Sequence, residues 1–243
     1  MDEGATFAER LARVAERIES ACRAAGRPPG GVRLLAISKT QPPERVREAA
    51  EAGQRLFGEN RVQEAQAKIP LCPSNLSWHM VGHLQGNKVR AAARLFDMIH
   101  SVDSVQRLRQ IDAACAGEGR RLPVCLEINV AGESSKFGLP PGDLESALDA
   151  ARELAHVDVV GLMTMPPPAP DPERARPHFR RLRERRDECR ARTGFELPEL
   201  SMGMSHDLEV AVQEGATWLR IGTDLFGPRT GAAWRPAATD GDG

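Results

Sequence analysis

The stretch LLAISKT, which runs from Leu34 to Thr40, is an apolar segment that ends in a lysine. Four apolar residues followed by Ser38 are typical of a strand that is buried in a parallel sheet. Lysine is among the side chains that are least often buried. The stretch therefore raises two questions: which kind of sheet contains this strand, and what the amine of Lys39 does at its end.

Seven further apolar runs follow, and segments with helical periodicity separate them. The predicted strands are 32–38, 55–59, 78–82, 97–102, 123–130, 159–165, 199–205 and 218–223. The predicted helices are 5–25, before the first strand, and then 43–52, 61–68, 84–95, 104–116, 142–155, 172–192 and 206–214. In the segment 142–155, Leu144, Leu148 and Ala151 share one face, and Asp143 is the predicted N-cap.

This alternation predicts an α/β fold with a parallel sheet. Eight repeats in 243 residues favour a single (β/α)8 TIM barrel with an extra N-terminal helix. An open doubly wound sheet is the alternative that the pattern leaves. We expect one domain over residues 1–230 and a disordered tail over 231–243.

The composition limits the partners and the location that we expect. The net charge of −1 gives the chain no overall attraction to nucleic acid or to an anionic membrane. No apolar stretch is long enough to span a membrane, and the acidic, amphipathic N-terminus does not resemble a signal peptide, so we expect a cytoplasmic protein. The five cysteines form no C-x-x-C pair, which predicts reduced thiols and no metal site.

The basic residues are unevenly divided between the two types. The chain has 33 of them, of which only Lys39, Lys68, Lys88 and Lys136 are lysines. Arginine can replace lysine on a solvated surface, but not where an amine must lose its proton and attack a carbonyl carbon. Each remaining lysine is therefore a candidate for chemistry.

In a TIM barrel, functional residues gather at the carboxyl ends of the strands, and Lys39 ends the first strand. Partial burial there would lower the pKa of its ammonium group, and the neutral amine could then form a Schiff base with an aldehyde. The alternative is a structural lysine that extends its amine to the solvent at the rim.

The segments SMGMSHD (201–207) and RIGTDLFGPR (220–229) follow the seventh and eighth strands and are rich in small and hydroxyl residues. Such loops bind phosphate in many barrels, because backbone N–H groups and hydroxyls can approach an anion closely. The alternative is ordinary helix capping by Ser205 and Thr223. An amine at strand one and an anion site at strands seven and eight together match pyridoxal 5′-phosphate (PLP), which carries an aldehyde and a phosphate.

Seven segments then carry a family resemblance: LLAISKT, LFGENRVQEA, WHMVGHLQGNK, NVAGESSKFG, GLMTM, LSMGMSHDLEVAVQEG and LRIGTDLFGPR. In this order, from about residue 32 to 229, they resemble the motifs of the pyridoxal phosphate homeostasis protein family, whose barrels are similar to the N-terminal domain of alanine racemase. The resemblance implies PLP bound as an internal aldimine on Lys39. It also implies cofactor contacts from Asn60 at the ring, Arg220 at the pyridine nitrogen, and Ser201, Ser205, Gly222 and Thr223 at the phosphate.

Arg220 bears on the chemistry that the resemblance implies. A cation beside the ring nitrogen disfavours its protonation, and an unprotonated ring is a poorer acceptor for carbanion electrons. The alternative for Arg220 is an ion pair with Asp224. Within the motif LFGENRVQEA, Arg61 follows Asn60 where the resemblance would equally lead us to expect a tyrosine. Lys136 lies in another family motif and has no clear role. We expect His206 to point outward from the cavity.

Three functions are candidates for this chain. The first is a PLP-binding protein that buffers PLP or delivers it to apo-enzymes, as a monomer or weak dimer. The second is a weakly active amino acid racemase, although the sequence has no tyrosine to act as second base and little length beyond the barrel for a second domain. The third, a metal-dependent lyase or phosphatase, would need closely spaced acidic ligands, which Glu59, Asp103 and Glu127 do not form in the sequence.

Overall fold

Eight parallel strands close into a barrel, in chain order. A computed structural model describes residues 4–28, 30–132, 137–228 and 234. The strands are β1 (Arg33–Ile37), β2 (Leu56–Glu59), β3 (Ser77–Met80), β4 (Met98–Val102), β5 (Leu122–Glu127), β6 (Val157–Met163), β7 (Glu199–Ser201) and β8 (Trp218–Ile221). Strand β1 pairs with both β2 and β8, which confirms the TIM barrel and rules out the open sheet. Lys136 and the predicted tail, apart from Trp234, lie outside the described residues.

Helices surround the barrel. They are α1 (Phe7–Ala24), α2 (Pro43–Glu51), α3 (Val62–Lys68), α4 (Val89–Leu95), α5 (Val105–Gly117), α6 (Leu144–Arg152), α7 (Arg176–Thr193), α8 (Leu208–Gln213) and α9 (Thr223–Phe226). Short 3-10 turns cover Ile69–Leu71, Gly86–Lys88, Pro141–Asp143 and Pro172–Ala175. Three predicted helices, 84–95, 142–155 and 172–192, therefore contain a 3-10 turn before the α-helix begins.

One local expectation holds only in part, and another is wrong. Asp143 occupies the N-cap position of α6, but its side chain makes no capping hydrogen bond, because its backbone is already helical with φ −90° and ψ −3°. The seventh strand ends at Ser201 rather than at residue 205. Gly203 has a φ of 93°, which turns the chain away from the sheet.

Helix α1 begins at a capping box. The hydroxyl of Thr6 accepts from the Glu9 backbone N–H at 3.3 Å, and the Glu9 carboxylate accepts from the Thr6 N–H at 2.8 Å. The helix buries Phe7 and Val14. The ring of Phe7 lies 5.2 Å from that of Phe226 in α9, so α1 packs against the segment that follows β8.

The interior of the barrel is a separate apolar cluster from the layer between barrel and helices. It contains Leu35, Ile37, Val81, Met98, Cys125, Met163 and Trp218. Side chains alternate along a strand, so Leu35 and Ile37 point inward and Lys39, two residues further, continues this series at the carboxyl end. Among the described residues, no helix is long and apolar enough to cross a membrane.

We expect Phe7→Ala to reduce the free energy of unfolding by about 3–5 kcal/mol, because it removes a buried ring and leaves a cavity against Phe226. Urea denaturation would measure the change. Arg13→Ala, on the exposed face of the same helix, is the control and should change stability by less than about 0.5 kcal/mol. Equal stability of the Phe7 variant and the unaltered protein would contradict the docking of α1.

Candidate functional site

A cavity of about 280 Å³ lies at the carboxyl ends of the strands. It is lined by six of the seven predicted site residues, namely Lys39, Asn60, Ser205, Arg220, Gly222 and Thr223. The other lining residues are Ile37, Gln41, Val81, Met165, Met204, His206, Phe226 and Gly227. The fold therefore brings together side chains that are up to 184 positions apart in the sequence, from Lys39 to Thr223.

Lys39 is half-buried and stands where two cavities meet. A wider, open cavity shares Lys39 and Asn60 with the first and is lined also by Arg61, Lys88 and Trp234. The two cavities therefore adjoin at Lys39 and Asn60.

The backbone of Asn60, which follows β2, lies close to the end of β3 because the residue there is Gly82. A Cβ atom on Gly82, just beyond β3, would lie 2.3 Å from the carbonyl oxygen of Asn60. Since real atoms cannot approach so closely, any side chain at Gly82 would push the Asn60 backbone aside. The hydroxyl of Ser101 donates to the Gly82 carbonyl at 2.5 Å, which holds this segment in place.

Ser205, Gly222 and Thr223 form the hydroxyl-rich side of the cavity. Neither hydroxyl residue is an N-cap, since the N-cap of α8 is Asp207 and that of α9 is Gly222. In the described part of the chain, the Ser205 hydroxyl accepts one long hydrogen bond, 3.4 Å, from the backbone N–H of Asp224 in the first turn of α9. Capping therefore accounts for Ser205 only weakly, and it does not account for Thr223.

Arg17 of α1 supports this side of the cavity, and sequence reasoning missed it. Its guanidinium donates to the Ser205 carbonyl at 3.1 Å, to the Asp224 carboxylate at 2.5 Å and to the Glu209 carboxylate at 2.7 Å. Two carboxylates that would repel an anion are thereby paired with a cation. No local pattern could reveal contacts between residues that are 188 to 207 positions apart.

Arg220 is buried at the inner end of the cavity. It donates from Nη1 to the carbonyl and the hydroxyl of Ser201, at 2.7 and 2.8 Å, and from Nη2 to the Thr164 carbonyl at 2.9 Å. Burial lowers the pKa of Arg220, while the nearby carboxyl groups of Glu127 and Asp207 oppose that shift. The expected alternative, an ion pair with Asp224, is absent because Asp224 pairs with Arg17.

Ser201, the seventh predicted site residue, does not line the cavity. It is fully buried and is paired with Trp218 in the register of β7 and β8. Arg220 lies two residues further along β8, so Ser201 sits one layer deeper in the barrel. Its hydroxyl contacts Arg220 rather than the cavity and accepts from the guanidinium.

A chain of hydrogen bonds continues from Ser201 into the barrel. The Ser201 hydroxyl lies 2.7 Å from Nδ1 of His100, and Nε2 of His100 lies 3.0 Å from Nδ1 of His79. Burial lowers the pKa of His79 to about 4 and that of His100 well below its ordinary value. Both imidazoles are therefore neutral near pH 7, and each has one donor and one acceptor nitrogen.

The chain ends at the opposite face of the barrel. Nε2 of His79 lies 3.4 Å from the Ser77 hydroxyl, which donates to the Asp97 carboxylate at 2.9 Å. An arginine can only donate and a carboxylate can only accept. The Ser77 hydroxyl gives its one hydrogen to Asp97, so it must accept from Nε2–H of His79, and His100 must then donate from Nε2 to Nδ1 of His79. At the other end, Ser201 accepts from Arg220, and its own hydrogen can go to Nδ1 of His100, which agrees with this direction.

We expect ¹⁵N NMR spectra to show His100 as a neutral Nε2–H tautomer, because its Nδ1 must accept from Ser201. In Ser201→Ala, which removes that donor, the preference should weaken. An Nδ1–H tautomer of His100 in the unaltered protein would contradict the assigned direction of the chain.

Glu127 is a buried acid beside Arg220. It ends β5 and is only 4% exposed. Burial raises the pKa of its carboxyl group to about 7, the Arg220 cation opposes the rise, and Asp103 adds to it. The carboxyl group is therefore part protonated near neutral pH.

We expect Glu127 to make stability fall as the pH rises from about 4.5 to 7. A raised pKa means that the folded protein holds a proton that the unfolded chain has released, and this stabilisation is lost as the pH passes 7. The change amounts to about 3 kcal/mol. Urea denaturation at several pH values would show the gain of Glu127→Gln over the unaltered protein growing through this range. A gain that does not depend on pH would contradict the raised pKa.

The remaining candidates lie elsewhere. His206 is exposed, with Nε2 2.9 Å from the Pro170 carbonyl oxygen, but it also lines the cavity, so the expectation that it points outward holds only in part. Asp103 lies 3.1 Å from Nδ1 of His83. Glu59 is buried outside the barrel interior, against Lys68. In the described part of the chain, no three acidic, histidine or cysteine side chains are grouped so that they could hold a metal ion.

Comparison with known proteins assigns the family. The sequence model of the alanine racemase N-terminal domain matches residues 10–230. The chain belongs to this family. The pyridoxal phosphate homeostasis protein of Aquifex aeolicus (strain VF5) is 47% identical over 222 residues, which cover 91% of this chain and 97% of the relative. The protein of the same name from Escherichia coli K12 is 38% identical over 232 residues, or 92% and 97% of the two chains.

Solved structures agree with this assignment. PipY from Synechococcus elongatus PCC7942, in the structure with PLP bound, is 40% identical, with a TM-score of 0.79, and the match covers 91% of this chain and all of PipY. An alanine racemase from Clostridium difficile 630 is 12% identical, with a TM-score of 0.73, and the match covers 94% of this chain and 57% of the racemase. The second likeness extends to the fold alone.

Proposed function

We propose that this protein binds PLP at Lys39 and takes part in intracellular PLP homeostasis, holding the cofactor and delivering it to apo-enzymes. The observation that carries the proposal is the shared cavity, in which one amine, one buried guanidinium and two hydroxyl residues meet. The names of the curated relatives and the PLP bound in PipY support it.

The residues present fit this ligand. PLP carries an aldehyde, which condenses with an amine with loss of water, and Lys39 would supply that amine. The Ser205 and Thr223 hydroxyls would donate to the phosphate, while Gly222 leaves the backbone open to close approach. Arg17 would favour an anion there, because it pairs the carboxylates of Asp224 and Glu209.

Arg220 would restrict what the bound cofactor can do. Three hydrogen bonds to Ser201 and Thr164 use part of its five N–H donors. The remaining donors would be directed to the ring nitrogen, which must then accept and stay unprotonated. A ring in this state stabilises a carbanion poorly. This favours holding and release of PLP over chemistry at the α-carbon of an amino acid.

We expect borohydride to attach PLP irreversibly to Lys39, because it reduces the carbon–nitrogen double bond of the linkage. Peptide mass spectrometry would locate the label. Lys39→Ala should lose it, whereas the control Lys88→Ala, which alters the neighbouring cavity, should keep it. Label on Lys68 or Lys88 of the unaltered protein would contradict the proposal.

Ser205→Ala with Thr223→Ala should weaken PLP binding at least about 10-fold, since two hydrogen bonds to an anion are lost.

The same preparation separates a carrier from a racemase. The loaded protein should restore activity to an apo-enzyme, and it should convert L-alanine to the D-isomer far more slowly than the roughly 10 per second of a typical enzyme. Turnover at that rate would favour the racemase instead.

A further inference from the structure

Lys68 is a fully buried lysine outside the cavity. It ends α3, and its side chain has no exposed surface. Its ammonium group donates to the Ser38 carbonyl at 2.8 Å, to the Glu59 carboxylate at 2.7 Å and to the Glu64 carboxylate at 2.8 Å. An ammonium group has three N–H donors, and these three oxygens accept all of them.

The same two carboxylates hold the residues on either side of Lys39. The Ser38 hydroxyl donates to Oε1 of Glu59 at 2.7 Å. The Thr40 backbone N–H donates to Oε1 of Glu64 at 2.5 Å. Lys68 binds both of these oxygen atoms. The peptide segment that carries Lys39 is therefore bonded, before and after Lys39, to one buried ionic cluster of Lys68, Glu59 and Glu64.

Thr40 needs such support. Its φ is 65°, in the left-handed region that residues with a side chain rarely adopt. A conformation of this kind persists only where surrounding contacts fix it. Its N–H is fixed by Glu64, and its carbonyl accepts from the backbone N–H of Trp234 at 3.0 Å. The Trp234 ring also lies 5.3 Å from the Lys68 ammonium nitrogen.

Stability alone does not explain the cluster. A buried ion pair is often no more stabilising than apolar side chains of similar size. Here Oε2 of Glu59 is buried and has no hydrogen-bond partner in the described part of the chain, which is costly. Burial also raises the pKa of Glu59 to about 7, with Lys68 opposing the rise and Glu64 adding to it.

The identity of the residue matters too. Arginine outnumbers lysine in this chain 29 to four, yet a lysine occupies this site. A compact ammonium can reach three oxygens arranged around one point, whereas a planar guanidinium spreads its donors over a wider fork.

We propose that Lys68, acting with Glu59 and Glu64, is the positioning residue that fixes the turn Ser38–Thr40 and thereby directs the amine of Lys39 into the cavity. The inference rests on the proposed function only in its second half, the reaction of Lys39 with PLP. The first half, the restraint of the turn, concerns the protein alone.

The test uses Lys68→Arg and the double variant Lys68→Met/Glu59→Met. The double variant replaces the two members of the cluster whose side chains have no exposed surface, and it leaves Glu64, which is 9% exposed and still accepts from the Thr40 N–H. It should therefore fold even where removing Lys68 alone does not. Lys88→Met is the matched control, because Lys88 lines the wider cavity outside the cluster. Two quantities are measured: hydrogen exchange of the Thr40 amide without ligand, and the rate at which PLP becomes linked to Lys39.

We expect Thr40 exchange to accelerate at least 10-fold in both cluster variants, with the Leu126 amide in β5 unchanged as an internal reference. PLP linkage to Lys39 should slow at least 10-fold, while Lys88→Met matches the unaltered protein in both. A folded double variant with unaltered Thr40 exchange and linkage would overturn the inference. If Lys39 of the unaltered protein does not react with PLP, the proposed function fails, and Thr40 exchange still decides whether Lys68 restrains the turn.

Discussion

The pairing of the first strand with the last is the constraint on which the site depends. Leu35 lies opposite Arg220 and Ala36 opposite Ile221 in the parallel ladder of β1 and β8. This register brings the end of β1, with Lys39, next to the segment that begins at Gly222. The amine of Lys39 and the cavity-lining segment that begins at Gly222 become neighbours only because the barrel closes. In an open sheet, the same two strands would be free to lie at opposite edges.

At the carboxyl end of the barrel, the inward side chains form two layers. The outer layer, with Arg220 and Glu127, faces the cavity or lies beside it. Beneath it, the Ser201 hydroxyl contacts both Arg220 and His100. Burial keeps His100 uncharged, so Arg220 is held without a second cation next to it.

Much of this was predictable from the sequence, for physical reasons. Strand and helix periodicity indicated the barrel, and the position of Lys39 at the end of the first strand placed its amine at the rim where functional residues gather. Residue types at strand ends gave Ser205, Gly222 and Thr223, which line the cavity. The pattern could not separate Ser201 from these residues, because a strand's last inward residue and the loop after it have similar composition. Arg17 and Lys68 act through contacts between distant segments, which leave no periodic signal.

The direction of the hydrogen-bond chain links the two faces of the barrel. Asp97 is exposed at the face opposite the cavity, yet its carboxylate sets which nitrogen of each histidine carries a proton. Loss of that carboxylate would free the Ser77 hydroxyl to donate to His79, so both tautomers of His79 and His100 would become available. The Ser201 hydroxyl could then accept from His100 as well as from Arg220. A substitution on the far surface would thus change the hydrogen bonding of a guanidinium that lines the cavity.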